Sequence, residues 1–396
     1  MTVPSSQRRA VILTGSIGQG HASVAEACAD ALSASGHLTT TLDCMELLGG
    51  LGHRIGEGVF RRMLAIPPVY DAFHFSQLRA GTRLVDRMTK SATKRIVPAL
   101  RGVLPADDDL LLVSVYPTGS AAAGELRSEH PGWRSVAFCT DATAHSIWVQ
   151  PGIDRYLVSS PAEAGTVRQF DPAAEVRELP PPVRPAFFDV PDRMGARAEL
   201  GLSSGPARPC VLLMAGGWGL GPIDLTAEAL AGAGIDVLAV AGHNAAMRGR
   251  LDNVAHRSAP GTVRAFGFTP QVPLLMAASD LVVTSAGQTS HEARVIGRPQ
   301  VLLDVVPGHG RENLLLELAR GGAMASRPEP EAVVAAVCAA LDGAVEPPGP
   351  WPVSSAEDWR KQFQEALAGL WPLASSTPPN GARSRRPTSA PRPAFD

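Results

Sequence analysis

Apolar runs of three to six residues recur along the chain with room for one helix between neighbours, and a proline-rich segment interrupts the series once. That alternation constrains the fold strongly, because short apolar strands separated by helical patterns build parallel sheet from strand and helix units. In the first half the runs are Ala10 to Thr14, Thr39 to Leu42, Leu110 to Val115, Ser135 to Cys139 and Arg155 to Val158. Pro180, Pro181, Pro182, Pro185 and Pro191 then make residues 179–191 a stiff extended stretch that continues neither a helix nor a central strand. A second series follows: Cys210 to Met214, Val237 to Ala241, Thr262 to Phe266, Leu281 to Val283 and Gln300 to Leu303. The pattern predicts two doubly wound α/β domains facing each other. The length of 396 residues agrees, since single cores stop growing at roughly 250 to 300 residues.

The expected division is an N-terminal domain over residues 1–182, a C-terminal domain over 183–345, a closing helix within 346–373 and a disordered tail over 374–396. Trp359, Phe363, Leu367 and Leu370 at helical spacing mark the closing helix. The tail is rich in Ser, Thr, Pro, Gly and Arg and cannot repay its ordering entropy. Five cysteines, with no CxxC pair, read as reduced thiols. The apolar stretch after Arg8 and Arg9 is too short for a signal-peptide core, and no run is long enough to cross a bilayer.

The formal charge of −2 removes the global basic character of a nucleic-acid binder. Residues 52–101 stand apart with a net of +7, their cations interleaved with Val59, Phe60, Met63, Leu64, Ile66, Val69, Tyr70, Phe73 and Phe75. Cationic side chains among aromatic and aliphatic ones suit a segment lying on an anionic membrane surface; a solvated helix face above ordinary core residues is the alternative.

Several strand ends carry chemistry. After the first strand come Gly15, Gly18, Gly20 and His21, opening a helix. Glycines there let backbone approach a ligand, and a helix start disfavours imidazolium, so His21 is a candidate general base. The GxxGxG spacing is not the GxGxxG fingerprint, which argues against a dinucleotide oxidoreductase. Asp141, His145 and Trp148 follow a buried strand, where polar residues face the ligand crevice; Asp141 either orients His21 or an acceptor hydroxyl, or caps the next turn. In the second half, Gly216, Gly217, Gly219 and Gly221 form a candidate diphosphate cradle. Gln288, Thr289 and Glu292 open another helix, with Glu292 either accepting from ribose hydroxyls or completing a capping box with Thr289. Pro307 to Asn313 is a third turn into a helix. Asp107 to Asp109 contains a DxD spacing but precedes its strand, and no other cluster has metal-ligand spacing.

From about Arg9 to Leu341 this set resembles the monogalactosyldiacylglycerol synthase and processive diacylglycerol glucosyltransferase family, related to the lipid-linked N-acetylglucosaminyltransferase of peptidoglycan synthesis. The resemblance rests on Gly18-Gln19-Gly20-His21, Thr140-Asp141 with His145 and Trp148, the Gly216-Gly217 turn, Gly267-Phe268, and Pro307-Gly308 to Asn313. It implies a GT-B fold and inverting, metal-independent transfer without a cofactor. It implies His21 as base with Asp141, the acceptor near Gly18, Gly20, His145 and Trp148, the diphosphate near Gly216, Gly217 and Gly219, and the base beside Gly267 and Phe268. Glu292, near Gln288 and Thr289, would take ribose, and His309, Glu312 and Asn313 ribose or sugar. Two positions depart from the family pattern: His309 and Gly310 stand where Gln-Glu is usual, and Ser285-Ala286-Gly287-Gln288 is one residue shorter than the usual Lys-Pro-Gly-Gly stretch.

The expected function is transfer of a hexosyl group from a UDP-sugar to a lipid hydroxyl such as that of diacylglycerol, by a cytoplasmic protein peripheral on the inner face of the cell membrane through residues 52–101, with no nucleic-acid partner. The competing readings are a GT-B enzyme with a soluble acceptor and a nucleotide-sugar binder that has lost catalysis.

Overall fold

The computed structural model describes residues 8–15, 20–48, 66–105, 107–202, 208–214, 221–257 and 260–372. Gly18, Gly216, Gly217 and Gly219, residues 52–65 and the tail 374–396 lie outside the described residues.

The first sheet is wholly parallel: β1 (Arg9–Thr14), β2 (Leu38–Asp43), β3 (Leu110–Ser114), β4 (Arg134–Phe138), β5 (Arg155–Val158) and β6 (Val176–Glu178), in the order β2-β1-β3-β4-β5-β6. Helices α1 (Gly20–Ala34), α2 (Pro67–Phe73), α3 (Arg83–Val103), α4 (Pro117–Glu129) and α5 (Pro161–Phe170) connect them. A π turn, His74–Leu78, prolongs α2. The second sheet comprises β7 (Cys210–Met214), β8 (Asp236–Val240), β9 (Val263–Phe266), β10 (Leu281–Thr284), β11 (Gln300–Leu303) and β12 (Ala323–Ser326), ordered β12-β11-β10-β7-β8-β9 and again parallel. Its helices are α6 (Arg193–Glu199), α7 (Ile223–Gly232), α8 (Ala245–Ala255), α9 (Val272–Ala278), α10 (Gln288–Ile296), α11 (His309–Ala319) and α12 (Pro330–Ala339).

The central strands read as unbroken apolar runs because helices cover both faces; every residue of β3, β5, β10 and β11 is buried. The direction of winding reverses between β1 and β3 in one sheet and between β7 and β10 in the other. Crevices at the carboxyl ends of strands open at such reversals, which defines two candidate ligand edges before any side chain is considered.

The last helix, α13 (Ala356–Leu367), returns to the first domain. Its apolar stripe of Trp359, Phe363 and Leu367 joins the core built from β1, α1 and β3. Trp359 stacks on Phe363 and lies parallel to Phe138, and its indole N–H donates to the Pro180 carbonyl at 2.8 Å. Arg155, buried at the start of β5, donates to the carbonyls of Ala366 and Ala368 at the C-terminus of the helix. Trp371 adds a hydrogen bond to His37. Removing a buried indole leaves both a cavity and an unpaired carbonyl, so Trp359→Ala should cost ~3–5 kcal/mol. Urea denaturation should show this as an earlier transition of the first domain, with little change in the second.

Candidate active site

His21 stands in the first turn of α1, at the β1/β3 reversal. Its Nδ1 lies 2.9 Å from the Val115 carbonyl, directly after β3. A carbonyl can only accept, so Nδ1 carries the proton and Nε2 keeps its lone pair. The Thr140 hydroxyl, 3.1 Å from Nδ1, and the Tyr116 ring, edge-on at 5.1 Å, hold the imidazole from its sides. Burial pulls His21 below its ordinary pKa, against opposing pulls from Asp141 and the Val115 hydrogen bond, so the ring is neutral. Gly15 is needed where it stands: a Cβ there would meet the Tyr116 ring at 2.7 Å. Gly20, at the start of α1, faces open space.

Asp141 accepts from the Trp148 indole N–H at 2.8 Å and lies 3.7 Å from His145 Nε2. Burial pushes its carboxyl up, but His309, His145, the Trp148 hydrogen bond and His21 together outweigh that and hold it below the usual carboxylate range. Burial also pulls His145 down to about 4. Asp141 is thus a buried anion beside His21 and His145, whose imidazoles burial keeps neutral. Trp148 is fully buried, which fits it for fixing Asp141 and not for touching a ligand.

The donor-side candidates divide. Glu292, on α10 at the β7/β10 reversal, is 4% exposed and accepts from Arg184 Nε and Nη2 at 3.1 and 2.9 Å. Burial pushes its carboxyl up to about 7 even against the Arg184 charge, because Arg184 is itself substantially exposed. The α10 cap lies elsewhere: Gly287 N–H donates to Ser290 Oγ at 3.4 Å, so Glu292 is not a capping residue. Gln288 donates to the Pro182 carbonyl at 2.6 Å, tying α10 to the proline-rich linker, and Thr289 is half-buried beside it. Phe268 is 68% exposed and stacks on His243; a Cβ at Gly267 would lie 3.8 Å from the Gly242 carbonyl oxygen.

His309, Glu312 and Asn313 meet the first domain. The Glu312 carboxylate takes His74 Nε2 at 2.7 Å, Arg79 Nε at 3.2 Å and the Thr143 hydroxyl. Burial pushes the Glu312 carboxyl up, yet the hydrogen bonds from His74 and Thr143 and the nearby charges prevail and hold it below its ordinary value. Asn313 Oδ1 accepts from Ala142 N at 2.8 Å, and His309 Nδ1 is 3.1 Å from the Tyr70 hydroxyl. Asp71 accepts from Gly308 N at 2.6 Å and pairs with Arg311. Gly308 is required by its φ of 62° and by Tyr70, whose ring would lie 2.5 Å from a Cβ there. At Gly310 a Cβ would fall 2.3 Å from that of Val306, so this turn has no room for the Glu of the family pattern.

Sequence reasoning did not single out Tyr70, Asp71, His74 and Arg79 as site residues, because they sit inside the basic segment. Tyr70, Asp71 and His74 stand at i, i+1 and i+4 across α2 and the π turn that prolongs it, and Arg79 follows that turn. Val115 acts through a backbone carbonyl, which no side-chain pattern announces. Asp107 pairs with Arg9 ahead of β3, at the strand ends opposite the site. Among the described residues no cluster of His, Cys, Asp and Glu is arranged to hold a metal ion.

Two facing doubly wound domains with a shared cleft define the GT-B fold of glycosyltransferases. MurG from Acinetobacter baumannii shares it at a TM-score of 0.52 and 16% identity, over 91% of this chain and 95% of that one. An α,α-trehalose 6-phosphate synthase from Burkholderia multivorans does so at 0.54 and 12%, over 92% and 99%. In sequence the chain is similar to monogalactosyldiacylglycerol synthases and a processive diacylglycerol glucosyltransferase. It is 30% identical over 248 residues to a probable monogalactosyldiacylglycerol synthase 2 of Oryza sativa subsp. japonica, covering 58% of this chain and 51% of that protein. The Spinacia oleracea monogalactosyldiacylglycerol synthase matches at 25% over 336 residues, 78% of this chain and 62% of its own. The processive diacylglycerol β-glucosyltransferase of Bacillus pumilus matches at 31% over 179 residues, 44% and 46% respectively. The chain thus spans about half to three-fifths of the length of these relatives. No family model matches it.

The three donors gathered on Glu312 make a direct expectation. Glu312→Ala should lower stability by about 2 kcal/mol, as loss of hydrogen bonds to a charged group does. Glu312→Gln, which keeps the shape and some of the bonds, should lose less. Thermal melting of both variants measures the difference.

Proposed function

We propose that the chain is an inverting glycosyltransferase that moves a hexosyl group from a UDP-sugar to a lipid hydroxyl of the diacylglycerol type. The observation that carries this reading is His21: a neutral imidazole whose Nδ1 proton is committed to the Val115 carbonyl, leaving Nε2 as a base at a sheet reversal. Its similarity to a monogalactosyldiacylglycerol synthase and a diacylglycerol glucosyltransferase supports the acceptor class. In the step proposed, the acceptor hydroxyl gives its proton to His21 Nε2 while its oxygen attacks the anomeric carbon. The bond from that carbon to the diphosphate oxygen breaks, and UDP leaves with the electron pair. Backbone amides at the start of α10 face the edge where the diphosphate charge must be met. Glu292, now bonded to Arg184, would accept from ribose once Arg184 is displaced.

Lipid access is assigned to α2 and α3. The outer surface of α3 exposes Arg83, Arg87, Lys90, Lys94 and Arg95 together with Leu84 and Met88, while Ile66, Val69 and Phe75 are exposed around α2. Each cation near an anionic leaflet contributes about 1 kcal/mol, so vesicle binding should weaken steeply with salt. Among the described residues no helix is long and apolar enough to cross a membrane.

UDP release from a panel of UDP-sugars, with and without diacylglycerol in anionic vesicles, tests the reading. Lipid-dependent release from one donor is expected, and release indifferent to lipid would move the acceptor to a soluble molecule. His21→Ala should abolish turnover while UDP binding stays within about twofold; retained turnover removes His21 from the mechanism. Because the base works deprotonated and its pKa is lowered from 6.5, the rate should stay level from pH 8 down to 6.5 and fall only in more acid solution.

A further inference from the structure

Phe268 is the most exposed large hydrophobic side chain among the described residues, at 68%. The other exposed large hydrophobics of the second domain, Met194, Leu225 and Leu315, sit on helices α6, α7 and α11, whereas Phe268 sits in the loop directly after β9. Its ring is stacked on His243, from the loop directly after β8, with centroids 4.2 Å apart and planes 17° apart. Both rings therefore stand at carboxyl ends of strands in the doubly wound donor domain, the edge at which such sheets take ligands.

The loop carrying His243 is tightly specified. Gly242 takes a φ of 59°, which turns the chain sharply after β8, and Asn244 Oδ1 caps α8 by accepting from Met247 N at 2.9 Å. Between these two devices His243 has little freedom. A stacked pair that is exposed on its outer face is a surface on which one more flat ring can lie, and a nucleobase is the flat ring of the ligand proposed above.

We infer that His243 is a positioning residue of the donor site: it holds the Phe268 ring as a platform on which the uracil of the nucleotide stacks. The inference rests on the nucleotide-sugar reading and adds to it a residue that selects for the base and is indifferent to phosphate and sugar.

The test compares wild type, His243→Ala and His243→Phe by calorimetry with UDP, uridine and inorganic pyrophosphate. His243→Ala should weaken UDP and uridine by the same factor, about tenfold, which is the scale of one stacked base. Pyrophosphate binding should not change, and His243→Phe, which keeps a flat ring, should restore UDP binding to within about twofold of wild type. Since His243 is exposed, the thermal melting of both variants should match wild type. Unchanged UDP binding in His243→Ala overturns the inference, as does a loss confined to pyrophosphate or a failure of His243→Phe to rescue. If wild type binds neither UDP nor uridine, the nucleotide reading falls and takes this inference with it; wild type binding UDP with an indifferent His243→Ala sinks the inference alone.

Discussion

The Glu312 carboxylate holds together the two halves of the cleft. It belongs to α11 of the second domain, yet its partners His74, Arg79 and Thr143 come from the first, and Asn313 beside it reaches Ala142. Tyr70 with His309 and Asp71 with Gly308 and Arg311 cross between the same two domains around it. The contact needs a carboxylate shielded from water but not stranded there, and the hydrogen bonds collected around it meet that need. Gly308 completes the contact by letting backbone pass against Tyr70, so that Asp71 can take its amide. Residues that resemble sugar ligands in the family pattern therefore serve, in this conformation, as the meeting point of the domains.

The electrostatic character of the cleft follows from that closeness. Asp141 is the buried anion at its centre, and the imidazoles around it are kept neutral by burial. A neutral histidine beside a carboxylate can accept a proton and be stabilised once charged, which is the condition a general base has to satisfy. Glu292 is the contrasting case: burial dominates over a guanidinium that is half in water, so its charge is only weakly held. A ligand offering hydroxyl donors to that carboxylate would replace Arg184 at modest cost.

Much of the architecture was legible in the sequence because it is repetitive. Continuous apolar runs such as Leu110 to Val115 correspond to fully buried strands, and Gly15 and Gly20 stand at the end of β1 and the start of α1, at the first reversal. The spacing of Trp359, Phe363 and Leu367 gave a helix with one apolar face, but a stripe does not say which sheet will cover it, and α13 was free to close either domain. The site was legible where a side chain acts on its own loop and illegible where it acts across the cleft. His74 reads as one polar residue in an amphipathic segment until Glu312, far along the chain, is brought to it. The Thr289 and Glu292 spacing misleads for a related reason: burial and Arg184 compete for a carboxylate that a local rule assigns to the backbone.

The chain passes between the domains twice, outward along the proline-rich linker and back into α13, and the Trp359 indole fastens the returning helix to the carbonyl of Pro180. Two strands pinned side by side bend together readily but resist being wound about each other. Any opening of the cleft is thereby confined to a swing, with torsion suppressed. A hinge of that kind would keep the β1/β3 edge aligned with the β7/β10 edge, and His21 with one part of the second domain.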